Sequence, residues 1–250
     1  FKYNDFKSLK NIIEKHDIGV IKMEVQRSIK PEGMFLEKVR ELATKKNIVL
    51  IFDECTSGFR ENYGGLHLKH KVYPDVAIFG KALGNGFAIT SIIGKKEIME
   101  AAQSTFISST FWTERAGPTA ALKTLEIMKD IKSWEIITKQ GKKIEKGWDR
   151  ISKQNNIIIE KSGLSSLANF SFVSKNSRKY KSFLTSEMLK KGFLASNAIY
   201  TCIDHTDKLI ESYFDNLEEV FYKISEFEKG NNIDELNSLP IASEGFERLN

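Results

Sequence analysis

The 250 residues are 41% hydrophobic and 28% charged with 4 prolines, the composition of a globular chain long enough for one large or two small domains. The net charge of +5, from 38 basic and 33 acidic residues, is interleaved with glutamate and forms no basic stripe, which argues against nucleic acid as a partner. Two cysteines, Cys55 and Cys202, are too few for a disulfide framework; with no signal peptide and no apolar span of about 18 residues, we expect a cytoplasmic protein with no membrane partner. The chain begins at Phe1 without a Met, so we expect that the amino-terminal part of a longer protein is absent.

Phe6, Leu9, Ile12 and Ile13 recur at helical spacing, with Asn4 or Asp5 as cap, and predict a helix over 5–16. Residues 19–25 (GVIKMEV) read as a strand finishing near Glu24. After the Pro31-Glu32-Gly33 turn, Phe35, Val39, Leu42 and Ala43 alternate with charges and predict an amphipathic helix over 34–46. The apolar run 48–52 is too short for a helix of its own and rich in β-branched residues, so it reads as a buried strand closed by Asp53 and Glu54. Strand, helix, strand is a right-handed crossover and predicts a parallel sheet. A third strand over 76–79 follows Pro74-Asp75 and delivers Gly80-Lys81. Residues 88–93 read as one more strand, so close behind Gly84-Asn85-Gly86 that an antiparallel hairpin is expected.

Next come a short helix over 95–103, a hydroxyl-rich loop over 106–111 and helices over 113–129 and 134–154. The pattern then changes to strands over 156–160 and 167–173, a helix over 177–191, a short strand over 192–196 and a helix over 206–227, which predicts an α+β unit. The expected organisation is therefore a large domain over 1–140, a small α+β domain over 141–228 and a polar tail over 229–250.

In an open parallel sheet the carboxyl ends of the strands line the ligand crevice, which lets Asp53 and Lys81 face one pocket from neighbouring strands. A cofactor with a cationic ring nitrogen and an aldehyde needs that pair, a carboxylate for the first and an amine for the second. Lys81 lies between an apolar strand and the glycine turn of KALGNG, where we expect burial to favour the neutral amine that attacks an aldehyde. Ser108, Ser109 and Thr110 precede the helix expected from 113, and form either an anion site or a simple cap. A pyridinium, an aldehyde and a phosphate in one molecule describe pyridoxal phosphate. Single features also admit other readings. The run IVLIFDE fits the magnesium-binding strand of a P-loop ATPase, although no G-x-x-x-x-G-K-[ST] loop occurs, and a strand-end Asp is also a turn former. Arg60 and Arg115 suit either a clamp on a substrate carboxylate or surface ion pairs. His67 and His70 stand in the basic stretch LHLKHK, Cys55 reads as buried filler, and no metal site is expected.

Three motifs, IVLIFDECTSGFR, PDVAIFGKALGNG and ISSTFWTERAGPTAAL, resemble those of the class III (ω-amino) aminotransferases, and among them the glutamate-1-semialdehyde aminomutase-like members. The resemblance runs from Gly19 to about Phe227 and is to the carboxyl-terminal portion of such enzymes. It implies an α/β structure of pyridoxal-phosphate fold type I, the mostly parallel sheet of its large domain incomplete at the amino terminus. It also implies that Lys81 is the Schiff-base lysine and that Asp53 pairs with the pyridine nitrogen. Thr110, with Ser109 beside it, would reach the cofactor phosphate, in these families usually that of the other subunit of a homodimer. Glu24, in MEVQ, matches the family's E-P-[VI]-Q strand end and joins Arg60 and Arg115 as a candidate substrate contact. Thr56 stands where many ω-amino aminotransferases have Gln, a departure toward the aminomutase-like branch. Val25 replaces the usual Pro, and Trp112-Thr113-Glu114-Arg115 replaces a small G-G-N-P segment, a variant that resembles a subgroup associated with sugar modification. The implied function is amino transfer on a small amine or keto substrate, sugar- or amino-acid-derived. Intramolecular transfer and an inactive fragment are the alternatives.

Overall fold

The computed structural model describes residues 1–107, 110 and 113–242, residue 233 as backbone only. The chain divides into two compact units, Phe1–Ile136 and Ile137–Asn250. Helix α1 (Phe6–Lys15) opens the first, its cap Asp5 accepting the Ser8 N–H at 2.9 Å. Strand β1 (Val20–Glu24), helix α2 (Phe35–Lys45) and strand β2 (Val49–Asp53) make the expected crossover, with β1 and β2 parallel and Glu24 opposite Asp53. Period-two alternation decides which face is covered: Ile21, Met23, Leu50 and Phe52 are buried, as are Phe35, Leu36, Val39 and Ala43 of α2.

Helix α3 (His67–His70) leads to β3 (Val76–Phe79), parallel to β2 with Asp53 opposite Ile78. Strand β4 (Ser91–Gly94) returns antiparallel on the other side of β3, giving the order β1-β2-β3-β4. The hairpin direction is as expected, but the strand starts three residues later than 88. Its partner is the reason. Ser91 pairs with Phe79, the last residue of β3, and beyond Gly80 the chain bends into a 3-10 turn (Lys81–Leu83) that offers no ladder to residues 88–90. Helix α4 (Lys96–Met99), a 3-10 turn (Glu100–Ser104) and helix α5 (Ala116–Ile131) follow.

Helix α6 (Ser133–Gln154) runs into the second unit, where β5 (Ile159–Ser162), β6 (Leu167–Phe172) and β7 (Ala198–Tyr200) form an antiparallel sheet in that order. Helices α7 (Ser177–Lys190), α8 (Asp207–Glu228) and α9 (Ile233–Ser238) complete it around a core of Trp148, Phe170, Tyr180, Phe183 and Phe221. Trp148 Nε1 donates to Tyr213 Oη at 2.9 Å, so the indole enters the core with its donor satisfied. The strand expected over 192–196 is a helix cap instead. Gly192, at φ +84°, ends α7, and the N–H groups of Gly192 and Phe193 donate back to Leu189 and Met188 at 3.0 and 2.9 Å. The strand actually formed, β7, follows it, and α9 lies in the stretch read as tail, with Leu236 buried in the core. Among the described residues no helix is long and apolar enough to cross a membrane.

Helix α6 passes so near the β5–β6 connection that a Cβ on Gly141 would lie 1.8 Å from the Ser165 carbonyl oxygen. Since backbone is the obstacle, Gly141→Ala is expected to destabilise the protein by about 1–3 kcal/mol, read as a lower urea midpoint. An unchanged midpoint would show that the helix has room there.

Candidate active site

Asp53 is the last residue of β2, and Lys81 follows β3 after Gly80. Because β2 and β3 are adjacent and parallel, both leave the sheet at the same edge. Asp53 Oδ1 accepts the Cys55 N–H at 3.1 Å, and Oδ2 pairs with Lys22 Nζ at 3.0 Å. Burial pulls this carboxyl upward, but the Cys55 N–H and the Lys22 ammonium outweigh it and hold it below the usual carboxylate range. Asp53 is ionised at neutral pH.

Lys81 is exposed, not buried as the sequence suggested. Its backbone takes φ +47°, a left-handed conformation that opens the 3-10 turn; the turn buries Ala82 and Leu83 and leaves Lys81 exposed. Nζ donates to the buried Thr56 hydroxyl at 2.6 Å. The half-buried Cys55 links the two residues electrostatically. Burial and the Asp53 carboxylate push its thiol up, while the Lys81 and Lys22 ammonium groups pull against them. Gly80 lies against the same cluster, where a Cβ would come to 3.3 Å from the Thr90 methyl and make an ordinary 3.4 Å contact with Cys55 Sγ.

Beneath the strand tips lies a polar framework. Glu54, fully buried, accepts from the His67 backbone N–H at 2.9 Å and from the Ser57 hydroxyl, and meets His67 Nδ1 at 2.9 Å. Burial pushes Glu54 up, and the hydrogen bonds from His67 and Ser57 more than offset it. Asp75 accepts the Leu50 N–H and Arg40 Nη1, each at 2.8 Å, and pairs with Lys95 Nζ at 2.7 Å. It ties β2, α2 and the end of β4 together.

The remaining candidates are placed less compactly. Glu24 stands opposite Asp53 across the β1–β2 ladder, half-buried, with Arg27 at 3.9 Å. Arg60 is half-buried in the turn after β2. Thr110 and Arg115 are exposed, and Ser109 lies outside the described residues. The start of α5 differs from expectation, because Glu114 takes the Ala116 and Gly117 N–H groups and begins the helix at 116. A carboxylate closes that first turn. The residue that sequence reasoning passed over is Lys22. Its signal was a lysine interrupting the apolar alternation of GVIKMEV, two positions before Glu24 and hence on the Asp53 face.

An ionised carboxylate and a primary amine at neighbouring strand tips fit pyridoxal phosphate, the one for a cationic ring nitrogen and the other for an aldehyde. Residues 6–224 match the family described as aminotransferase class-III. The chain is 32% identical over 241 residues to a 3-aminobutyryl-CoA aminotransferase of Cloacimonas acidaminovorans (strain Evry), covering 88% of this chain and 58% of that protein. Its fold is similar to that of the PLP internal aldimine form of the FumI protein of Sphingopyxis sp. MTA144, with a TM-score of 0.86 at 19% identity over 96% of this chain and 59% of the other. It is also similar to the ornithine aminotransferase of Toxoplasma gondii, with a TM-score of 0.79 at 19% identity over 92% and 57% of the two chains. The chain thus spans about three fifths of the length of these proteins. Its α/β architecture, with a mixed and mostly parallel sheet, is that of fold type I. With the family matched across most of its residues, the chain belongs to the class-III aminotransferases.

Proposed function

We propose that the protein containing this chain transfers an amino group from a small amine to a keto acceptor, using pyridoxal phosphate, the cofactor of its family. The observation that carries this reading is Asp53 and Lys81 leaving one sheet edge from adjacent parallel strands. When bound, pyridoxal phosphate supplies an aldehyde that captures amines and a cationic ring that withdraws electrons from the substrate carbon. Lys81 would be the amine that holds the cofactor, and its amine, when free, would be the base that takes the proton from the substrate carbon. Its exposure suits that second role, since the amine must be accessible to a group arriving from solvent, and the Thr56 hydroxyl orients it. Asp53, ionised and fixed by the Cys55 N–H, holds the ring nitrogen in its protonated form.

Within the same proposal Thr110 and Ser109 hold the phosphate, that of the partner subunit in a homodimer, and Glu24, Arg60 and Arg115 face the substrate. Thr56 in the place of Gln supports the glutamate-1-semialdehyde aminomutase-like branch of the family. The similarity to a 3-aminobutyryl-CoA aminotransferase supports transfer between two molecules within that branch. The full-length protein is expected to show a visible absorption band, to carry the cofactor on Lys81 after borohydride reduction, and to require an added keto acid for turnover. A colourless protein overturns the proposal; turnover with no acceptor replaces it with intramolecular transfer.

A further inference from the structure

Asp53 gives its two oxygens to different partners. Oδ1 is fixed by the Cys55 backbone N–H, and Oδ2 is held at 3.0 Å by an ammonium group from the neighbouring strand. Lys22 sits mid-strand between the buried Ile21 and Met23, its side chain 56% exposed against 24% for Asp53. In the β1–β2 register Lys22 is opposite Ile51 and Glu24 opposite Asp53, so Lys22 reaches the carboxylate diagonally across the face they share. Its Nζ bonds Oδ2, the oxygen that the Cys55 N–H does not hold. A cationic ring nitrogen approaching Asp53 from solvent therefore meets an acceptor already engaged by another cation.

Resting on the function proposed above, we infer that Lys22 is a positioning residue that competes with the cofactor's ring nitrogen for Asp53. It holds the carboxylate ionised and in place before the cofactor arrives, and it weakens the pairing that follows. The long, solvated lysine stem can swing clear, so the effect is that of an exposed ion pair and not of a buried charge.

The test measures dissociation constants of the full-length protein by equilibrium dialysis, for pyridoxal phosphate and for 4′-deoxypyridoxine phosphate, which lacks the aldehyde and so reports ring pairing without Lys81. Lys22→Met is expected to tighten both about two- to fivefold, and high salt to shrink that gain. Lys22→Arg is expected to bind as the unaltered protein does. In an Asp53→Asn background Lys22→Met is expected to change nothing, as a merely structural role for Lys22 would not predict. Equal or weaker binding by Lys22→Met, or the same gain without the Asp53 carboxylate, overturns the inference alone. No binding by the unaltered protein overturns the functional proposal as well.

Discussion

Lys81→Ala is expected to lower kcat by roughly 10²–10⁴-fold from the loss of proton transfer alone, and to remove the borohydride-fixed cofactor altogether. The fold should not register the change. Lys81 is exposed, its ammonium donates to one threonine hydroxyl, and alanine meets the same left-handed backbone that lysine already occupies. Stability is therefore expected to stay within about 0.5 kcal/mol of the unaltered protein, as for other surface substitutions. Kinetics, the visible spectrum and a thermal melt, measured together, separate the two effects. An alanine variant that retains full turnover removes Lys81 from the mechanism, whereas one that loses turnover and unfolds early reassigns it to structure.

Asp75→Asn is expected to do the converse, destabilising the first unit with no direct part in chemistry. Burial pulls this carboxyl upward, but the Leu50 N–H, Lys95 and Arg40 outweigh it and lower it from 3.8 to about 2. A carboxyl depressed on folding stabilises the native state above its unfolded pKa. That contribution disappears as the pH falls from about 4 toward 2, and a shift of this size is worth about 2 kcal/mol. The amide also leaves the half-buried Arg40 without its counterion, so the total at neutral pH is expected to be about 2–3 kcal/mol. Urea midpoints at pH 7 and pH 3 check this: the gap between the two proteins should be wide at the first and narrower at the second. A gap independent of pH assigns the loss to packing and not to charge.

Much of the first unit was legible because its two interior apolar runs each have one structural solution. Residues 48–52 and 76–79 are too short for helices and too apolar for loops, and both became interior strands within a residue of the expected bounds. Strand β4 was misplaced because Ala88 and Ile89 are as apolar as Ile92 and Ile93; only the bend at Gly80 and Lys81 decides which of them finds a ladder. Strand β7 is three residues long with both ends exposed, so no periodicity announces it, and the apolar Phe193 and Leu194 drew the assignment into a helix cap. The exposure of Lys81 was hidden for a related reason. Apolar flanks predict burial of a segment, but a left-handed turn can bury Ala82 and Leu83 while leaving the preceding residue exposed. Asp53 was legible as a strand end, whereas its partner Lys22 depends on a register that sequence alone leaves open.

Strands β2 and β3 each have a hydrogen-bonded neighbour on both sides. The strand ends that carry the carboxylate and lead to the amine are therefore spaced by the lattice of the sheet, about 4.8 Å per strand, and only the short step through Gly80 to Lys81 is added to it. Exposed residues such as those at 85–88 are then free to drift over generations, altering which amine is admitted, while the pair beneath them keeps its spacing. A lineage could exchange one substrate for another here without ever passing through an inactive ancestor.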